Sequence, residues 1–194
     1  GTNFVFIRYG LDELEPFTFA ALRFLFVAFP LVFVFPRPAT SWLHLASYGL
    51  FIGCGQFGLL YWVMQENITP GLASLLLQMQ VFFTVLLALV FMGESIKRQQ
   101  LIALCLSFFG LALILVYTDG HTTHLGVAVA LLAAASWACG NTVVKKAGGV
   151  DILAFLVWSS LFSIPPLALM AWYSHGLDGV VHNVLHASWR AWSV

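Results

Sequence analysis

Residues 70–94 read PGLASLLLQMQVFFTVLLALVFMGE. The stretch carries no charge before Glu94. A helix rises about 1.5 Å per residue, so roughly 20 apolar residues cross a hydrocarbon core about 30 Å thick. The segment meets that length and is read as a membrane span. Its exception is a pair of glutamines near the middle, Gln78 and Gln80. Carboxamides are costly in lipid, so both are expected to face protein or a polar cavity. Gly93-Glu94, followed by Lys97 and Arg98, marks the exit into water.

The rest of the chain repeats this plan. It has 194 residues, 61% hydrophobic and 8% charged, with mean hydropathy +0.94. Soluble domains carry about 25% charged residues. The fold class expected is all-α and integral to the membrane, a polytopic helical bundle. The formal net charge is zero, which gives nucleic acid no electrostatic footing. Cys54, Cys105 and Cys139 lie in apolar stretches without metal spacing and are read as small packing residues.

Seven spans are predicted. The first, 1–11, covers half a membrane and holds Asn3 and Arg8. The second starts at Pro16, carries Arg23 and ends before Pro36-Arg37-Pro38, since proline lacks the donor a helix interior needs. The third, 42–64, has Gly49 and Gly53 at the small-xxx-small spacing that lets membrane helices approach closely. The fourth is the opening stretch, and the fifth is 99–117. The sixth, 125–144, is rich in alanine and contains Trp137 and Asn141. The seventh, 152–173, is expected to break at Pro165-Pro166. Beyond it Val181, Val184, Leu185, Trp189 and Trp192 recur at helical spacing, which suits a helix lying in the interface.

Charges orient these spans. With the chain entering from the cytoplasm, Arg37, Lys97, Arg98, Lys145 and Lys146 fall on the cytoplasmic side. The other loops carry Asp12, Glu13, Glu15, Glu66 and Asp119, with no lysine or arginine before Arg190. That is the positive-inside pattern. There is also an internal repeat: Asn3-Phe4-Val5-Phe6-Ile7-Arg8 returns as Asn141-Thr142-Val143-Val144-Lys145-Lys146. Five spans separate the copies, and an odd offset inverts the second. Inverted repeats mark transporters, with substrate sites at the repeat interface near the midplane.

GTNFVFIRYGL at 1–11, ALRFLFVAFP at 21–30, the stretch from 70 through RQQLIALCLSFFGLALIL, and LLAAASWACGNTVVKK at 131–146 carry a family resemblance. The chain resembles the EamA-type drug/metabolite transporters, ten-helix proteins of two inverted five-helix repeats. LQMQVFFT and SWACGN are most similar to the branch that exports O-acetylserine and cysteine, which has glutamine where most members have a proline at position 80. The resemblance implies a fragment of the ten-helix protein, with helices 8–10 missing. Residues 1–117 would be the first repeat and 125–194 the start of the second. It implies export of small polar metabolites of the cysteine pathway across a bacterial inner membrane. The runners-up are export of another metabolite or drug and a non-transporting assembly subunit.

The substrate-binding residues expected are Asn3, Gln78, Gln80, Trp137 and Asn141. Asn3 and Asn141 occupy repeat-related positions, where an interhelical hydrogen bond is the alternative role. Trp137 lies one turn before Asn141 on the same face. Gln78 and Gln80 are about 200° apart around the helix. Gln80 is expected to face substrate, and Gln78 to bond a neighbouring helix. Arg8 is expected to snorkel to the outer end. Arg23 is expected to play a structural role paired with Glu13 or Glu15, although its fork would also suit a substrate carboxylate. Tyr61, Trp62 and Trp158 are read as packing or interfacial aromatics. His175, His182 and His186 are not expected to bind metal, and no carboxylate lies deep in a span to relay protons. No catalytic residue, cofactor or metal is expected. The expected partners are the bilayer and a small polar metabolite, with a homodimer as the open alternative to a single copy.

Overall fold

Helix starts are written into the loops. Ser41, Thr69, Thr123 and Asp151 each turn a side-chain oxygen onto a backbone N–H of the helix that follows. Glu15 does the same for Phe17 and Thr18, the latter at 2.7 Å. These caps satisfy donors that a helix leaves orphaned. They organise the computed structural model, which describes residues 2–93, 97–116 and 122–187.

Every regular element among the described residues is helical: α1 Thr2–Leu11, α2 Pro16–Leu31, α3 Trp42–Gly49, a π-helical segment Leu50–Gly58, α4 Leu59–Glu66, α5 Pro70–Leu76, α6 Met79–Met92, α7 Arg98–Val116, α8 His124–Ala147 and α9 Ile152–His186. Four stretches are long and apolar enough to cross a membrane: Trp42–Glu66, Pro70–Phe91, His124–Ala147 and Ile152–Gly176. Pro16–Leu31 and Arg98–Leu113 are shorter apolar helices. Phe26, Phe29, Val90, Leu106, Phe109 and Trp172 point outward, as surface suited to lipid does.

Three spans differ from their sequence reading. Trp42–Glu66 is not uniformly α: its middle nine residues are π-helical. The opening stretch divides into α5 and α6, with Leu77 and Gln78 between them. The predicted break at Pro165-Pro166 is corrected. Helix α9 continues through both prolines, and its non-helical backbone falls at Gly176, φ 69° and ψ 170°. Glycine adopts that conformation without the Cβ penalty. Helix resumes after Gly176 through Val181, Val184 and Leu185. Glu94, Asp119, Trp189, Arg190 and Trp192 lie outside the described residues.

Small residues set the packing. A Cβ at Gly49 would fall 2.3 Å from Ser159 O, and one at Gly53 would fall 2.4 Å from Ser163 Cβ. Ser163 Oγ donates to Gly49 O at 2.8 Å. The glycine pair predicted for close approach therefore receives α9. On another side of the π segment, Gly55 meets Ser136 of α8. The α8 alanines Ala130, Ala133 and Ala134 are fully buried with Tyr61, Val63 and Met64. Lipid supplies no hydrophobic drive between helices, so such close contact provides the attraction.

Polar ties fasten the ends. Arg8 donates to the carbonyls of Met64 and Gln65 and pairs with Asp12 at 3.3 Å. It therefore caps the C-terminus of α4, where carbonyls lack partners and the dipole favours a cation. Thr123 N donates to Asn67 O, which ties the start of α8 to the α4–α5 loop. At the opposite end, Trp158 Nε1 donates to Phe35 O at 3.1 Å. Trp42 packs on Trp158 beneath the Arg37 guanidinium.

Candidate functional site

The π segment and the break at Gln78 face one another across a cavity of about 600 Å³. Its wall includes Ile7, Gln56, Leu60, Ser74, Gln78 and Trp137. Each comes from a different turn of structure. A π turn rotates the residues that follow it relative to an unbroken α-helix, and π segments recur at functional sites. Gln56 sits in that segment, buried to 5% exposure. Its side chain forms no hydrogen bond with other described residues. Gln78 stands where the backbone leaves α5 and enters α6, with its side chain exposed to the cavity. Ser74, one turn earlier, bonds the Gly71 carbonyl. The cavity thus offers two carboxamides, a hydroxyl and an indole inside apolar walls, the usual make-up of a small-molecule site.

The predicted site residues divide. Gln78 and Trp137 line the cavity together. Gln80 and Asn141 bond each other: Asn141 Nδ2 donates to Gln80 Oε1 at 3.0 Å. The expected roles of the glutamines are therefore exchanged. Gln80 makes the interhelical bond, and Gln78 faces the open volume. Thr84 Oγ1 donates to the Gln80 carbonyl, within its own helix. The side chain of Asn3 lies outside the described residues, although Ile7 of the same helix reaches the cavity. Gln56 was missed by sequence reading. Its signal was a glutamine inside a glycine-rich apolar run, a rare placement that calls for a polar neighbour.

The expected pairing of Arg23 is also corrected. Glu15 is occupied by its own helix start, accepting from Thr18 Oγ1 at 2.7 Å. Arg23 instead donates to the Tyr61 hydroxyl at 2.7 Å. The rings of His182 and His186 lie with centroids 4.3 Å apart, tilted by 39°, and among the described residues no three His, Cys, Asp or Glu gather as a metal site would.

A multi-pass bundle with a polar cavity between its helices is an architecture that many membrane transporters share. The EamA-like transporter family matches residues 1–116, and the chain belongs to that family. Among curated relatives, a Salmonella typhimurium protein named "Probable amino-acid metabolite efflux pump" is 38% identical over 191 residues. An Escherichia coli protein of the same name is 37% identical over 191 residues. Each match covers 95% of this chain and 64% of the relative. A Bacillus subtilis protein named as an uncharacterized transporter is 30% identical, over 76% of this chain and half of its own length. The chain thus spans about two thirds of the efflux-pump relatives' length.

Proposed function

We propose that the protein is a secondary exporter of small polar metabolites, acting in a bacterial inner membrane. The observation that carries this reading is the cavity between the π segment and the Gln78 break. An apolar bundle has no structural need for Gln56 buried against an open volume, and a polar solute supplies the missing partner. Family membership and the efflux-pump relatives support export over a role in assembly. The finer reading is an amino acid of the cysteine pathway, O-acetylserine or cysteine. It rests on the resemblance of LQMQVFFT and SWACGN, and the cavity volume is ample for either solute. In this reading 1–117 forms the first repeat and 125–194 begins the inverted second, with the cavity at their interface. Asn3, Gln78, Gln80, Trp137 and Asn141 remain the proposed site, with Gln80 and Asn141 as its supporting pair.

Inside-out vesicles containing the full-length protein test this. Labelled O-acetylserine or cysteine accumulates above protein-free vesicles if the reading holds. Accumulation of neither, beside transport of an unrelated metabolite, removes the cysteine-pathway assignment. Transport of no solute removes the exporter.

A further inference from the structure

A second, smaller cavity of about 210 Å³ lies beside the first. Tyr48, Ile52 and Phe57 line both. Its polar wall is Arg23 of α2 with Ser159, Ser160 and Ser163 of α9. Arg23 is the eighth residue of the sixteen in α2, so it stands halfway along an apolar helix. A charge at that depth needs a counter-charge or a wet cavity. Among the described residues no carboxylate pairs with it. It has one hydrogen bond, to Tyr61, and its Cζ lies 4.9 Å from the centre of the Phe57 ring. A guanidinium carries five N–H donors, so most stay available on the cavity side.

Ser159 supplies an independent observation. It is 1% exposed and its Oγ has no hydrogen-bond partner. Its neighbours use the backbone: Ser160 donates to Leu156 O and Ser163 to Gly49 O. A buried hydroxyl left unpaired beside an unneutralised arginine describes a site that lacks an acceptor. The acceptor must be anionic to balance Arg23 and must offer two oxygens to engage both groups. A carboxylate fits both conditions.

We propose that this pocket is a carboxylate subsite, in which Arg23 and Ser159 hold the carboxylate of the exported solute. It deepens the export reading and rests on it for the identity of the solute. The Phe57, Ile52 and Tyr48 side chains form the partition between the subsite and the main cavity.

Thermal unfolding of the purified full-length protein in detergent tests the subsite without transport. The probes are sodium butyrate, butyramide and inorganic phosphate, at constant ionic strength set by chloride. Butyrate raises the melting temperature of the wild type, because a ligand bound only by the folded state stabilises it. Butyramide and phosphate do not. Arg23→Gln abolishes the butyrate shift. Ser159→Ala keeps the Arg23–Tyr61 bond and removes an unpaired hydroxyl, so it folds as well as wild type and still shows a weakened shift. Equal shifts from butyrate and butyramide, an equal shift from phosphate, or an undiminished shift in Ser159→Ala overturns the subsite. In vesicles, the wild type prefers labelled O-acetylserine over its primary amide by about tenfold or more, and Arg23→Gln loses that preference. A butyrate shift that depends on Arg23, without transport of any amino acid, leaves the subsite standing and removes the export reading. Transport of acid and amide alike, with no butyrate shift, does the reverse.

Discussion

Asn141 of α8 bonds Gln80 of α6 across the bundle, Nδ2 to Oε1, at 3.0 Å. Both carboxamides lie deep in apolar helices, and each resolves the other's desolvation. The pair is half-buried and joins the two helices beyond the break at Gln78. Its position holds the start of α6 against α8, while Trp137, one turn back along α8, reaches the cavity.

The pair should therefore behave as a stability element. Interhelical hydrogen bonds in membranes average about 0.6 kcal/mol and reach about 1.7. Gln80→Leu and Asn141→Leu should each lower unfolding stability by that order. The double variant should lose less than the sum, because one bond is removed once. Strict additivity in detergent unfolding would show that the two side chains do not interact.

Gly53 is one of the two glycines against which α9 packs most closely. A methyl group there would sit 2.4 Å from Ser163 Cβ, far inside contact distance. Gly53→Ala should push α9 away at a cost of about 1–3 kcal/mol, the range for overpacking. Gly110→Ala in α7 meets no atom within 4 Å and serves as the reference. Equal melting temperatures for the two variants would contradict this packing.

Much of the fold was legible from composition and punctuation. Apolar runs of spanning length located the helices, and Pro16 located the start of the second; the caps Ser41, Thr69, Thr123 and Asp151 emerge only in the structure. The helix-distorting features were legible less well, because they depend on tertiary context. Pro165 and Pro166 are local helix breakers by rule, yet α9 carries them intact. Gly176, an unremarkable residue in the sequence, takes the positive φ instead. The π segment, nine residues at Leu50–Gly58, has no periodic signal of its own. The glutamine pair was recognisable as polar and mid-span, whereas which of the two faces the open volume and which bonds α8 was not. Arg23 was recognisable as costly, but its partner Tyr61 is 38 positions away and has no local signature.

Membrane orientation follows from the basic loops. Lys97→Cys and Lys145→Cys, in a background without Cys54, Cys105 and Cys139, should resist an impermeant thiol reagent applied to intact cells. Glu66→Cys, exposed at the end of α4, should label. Lys146, in the last turn of α8 beside Lys145, brings its Nζ to 5.7 Å from the Phe91 ring near the end of α6, so these two helix ends lie together. Labelling of either lysine position from outside would invert the topology.

Arg8 fastens α1 to α4 by two carbonyl bonds and the Asp12 pair. Charged hydrogen bonds contribute about 1.5–3 kcal/mol each when buried. Arg8 is partly exposed, so Arg8→Gln should cost less than that range. Asp12→Asn should cost under about 1 kcal/mol, as exposed ion pairs do. A larger loss from Asp12→Asn than from Arg8→Gln would place the tie in the ion pair rather than in the α4 cap.

The cavity glutamines should fail differently from Gln80. Gln56 is nearly inaccessible to solvent yet lines open volume, and Gln78 projects from the interruption between α5 and α6. Neither forms a side-chain hydrogen bond with another described residue, so neither holds two helices together that way. Replacing either by leucine should leave unfolding stability nearly unchanged. Export should suffer instead. One hydrogen bond to a neutral polar group contributes about 0.5–1.5 kcal/mol, so apparent affinity for solute should fall roughly 2- to 12-fold in each variant. Gln80→Leu should show the opposite profile, with lower stability and affinity close to wild type. Export kinetics and detergent unfolding of the three full-length variants separate the roles. Wild-type affinity in both Gln56→Leu and Gln78→Leu, beside impaired affinity in a stable Gln80→Leu, would move the solute to the Gln80 face and refute the cavity as its site.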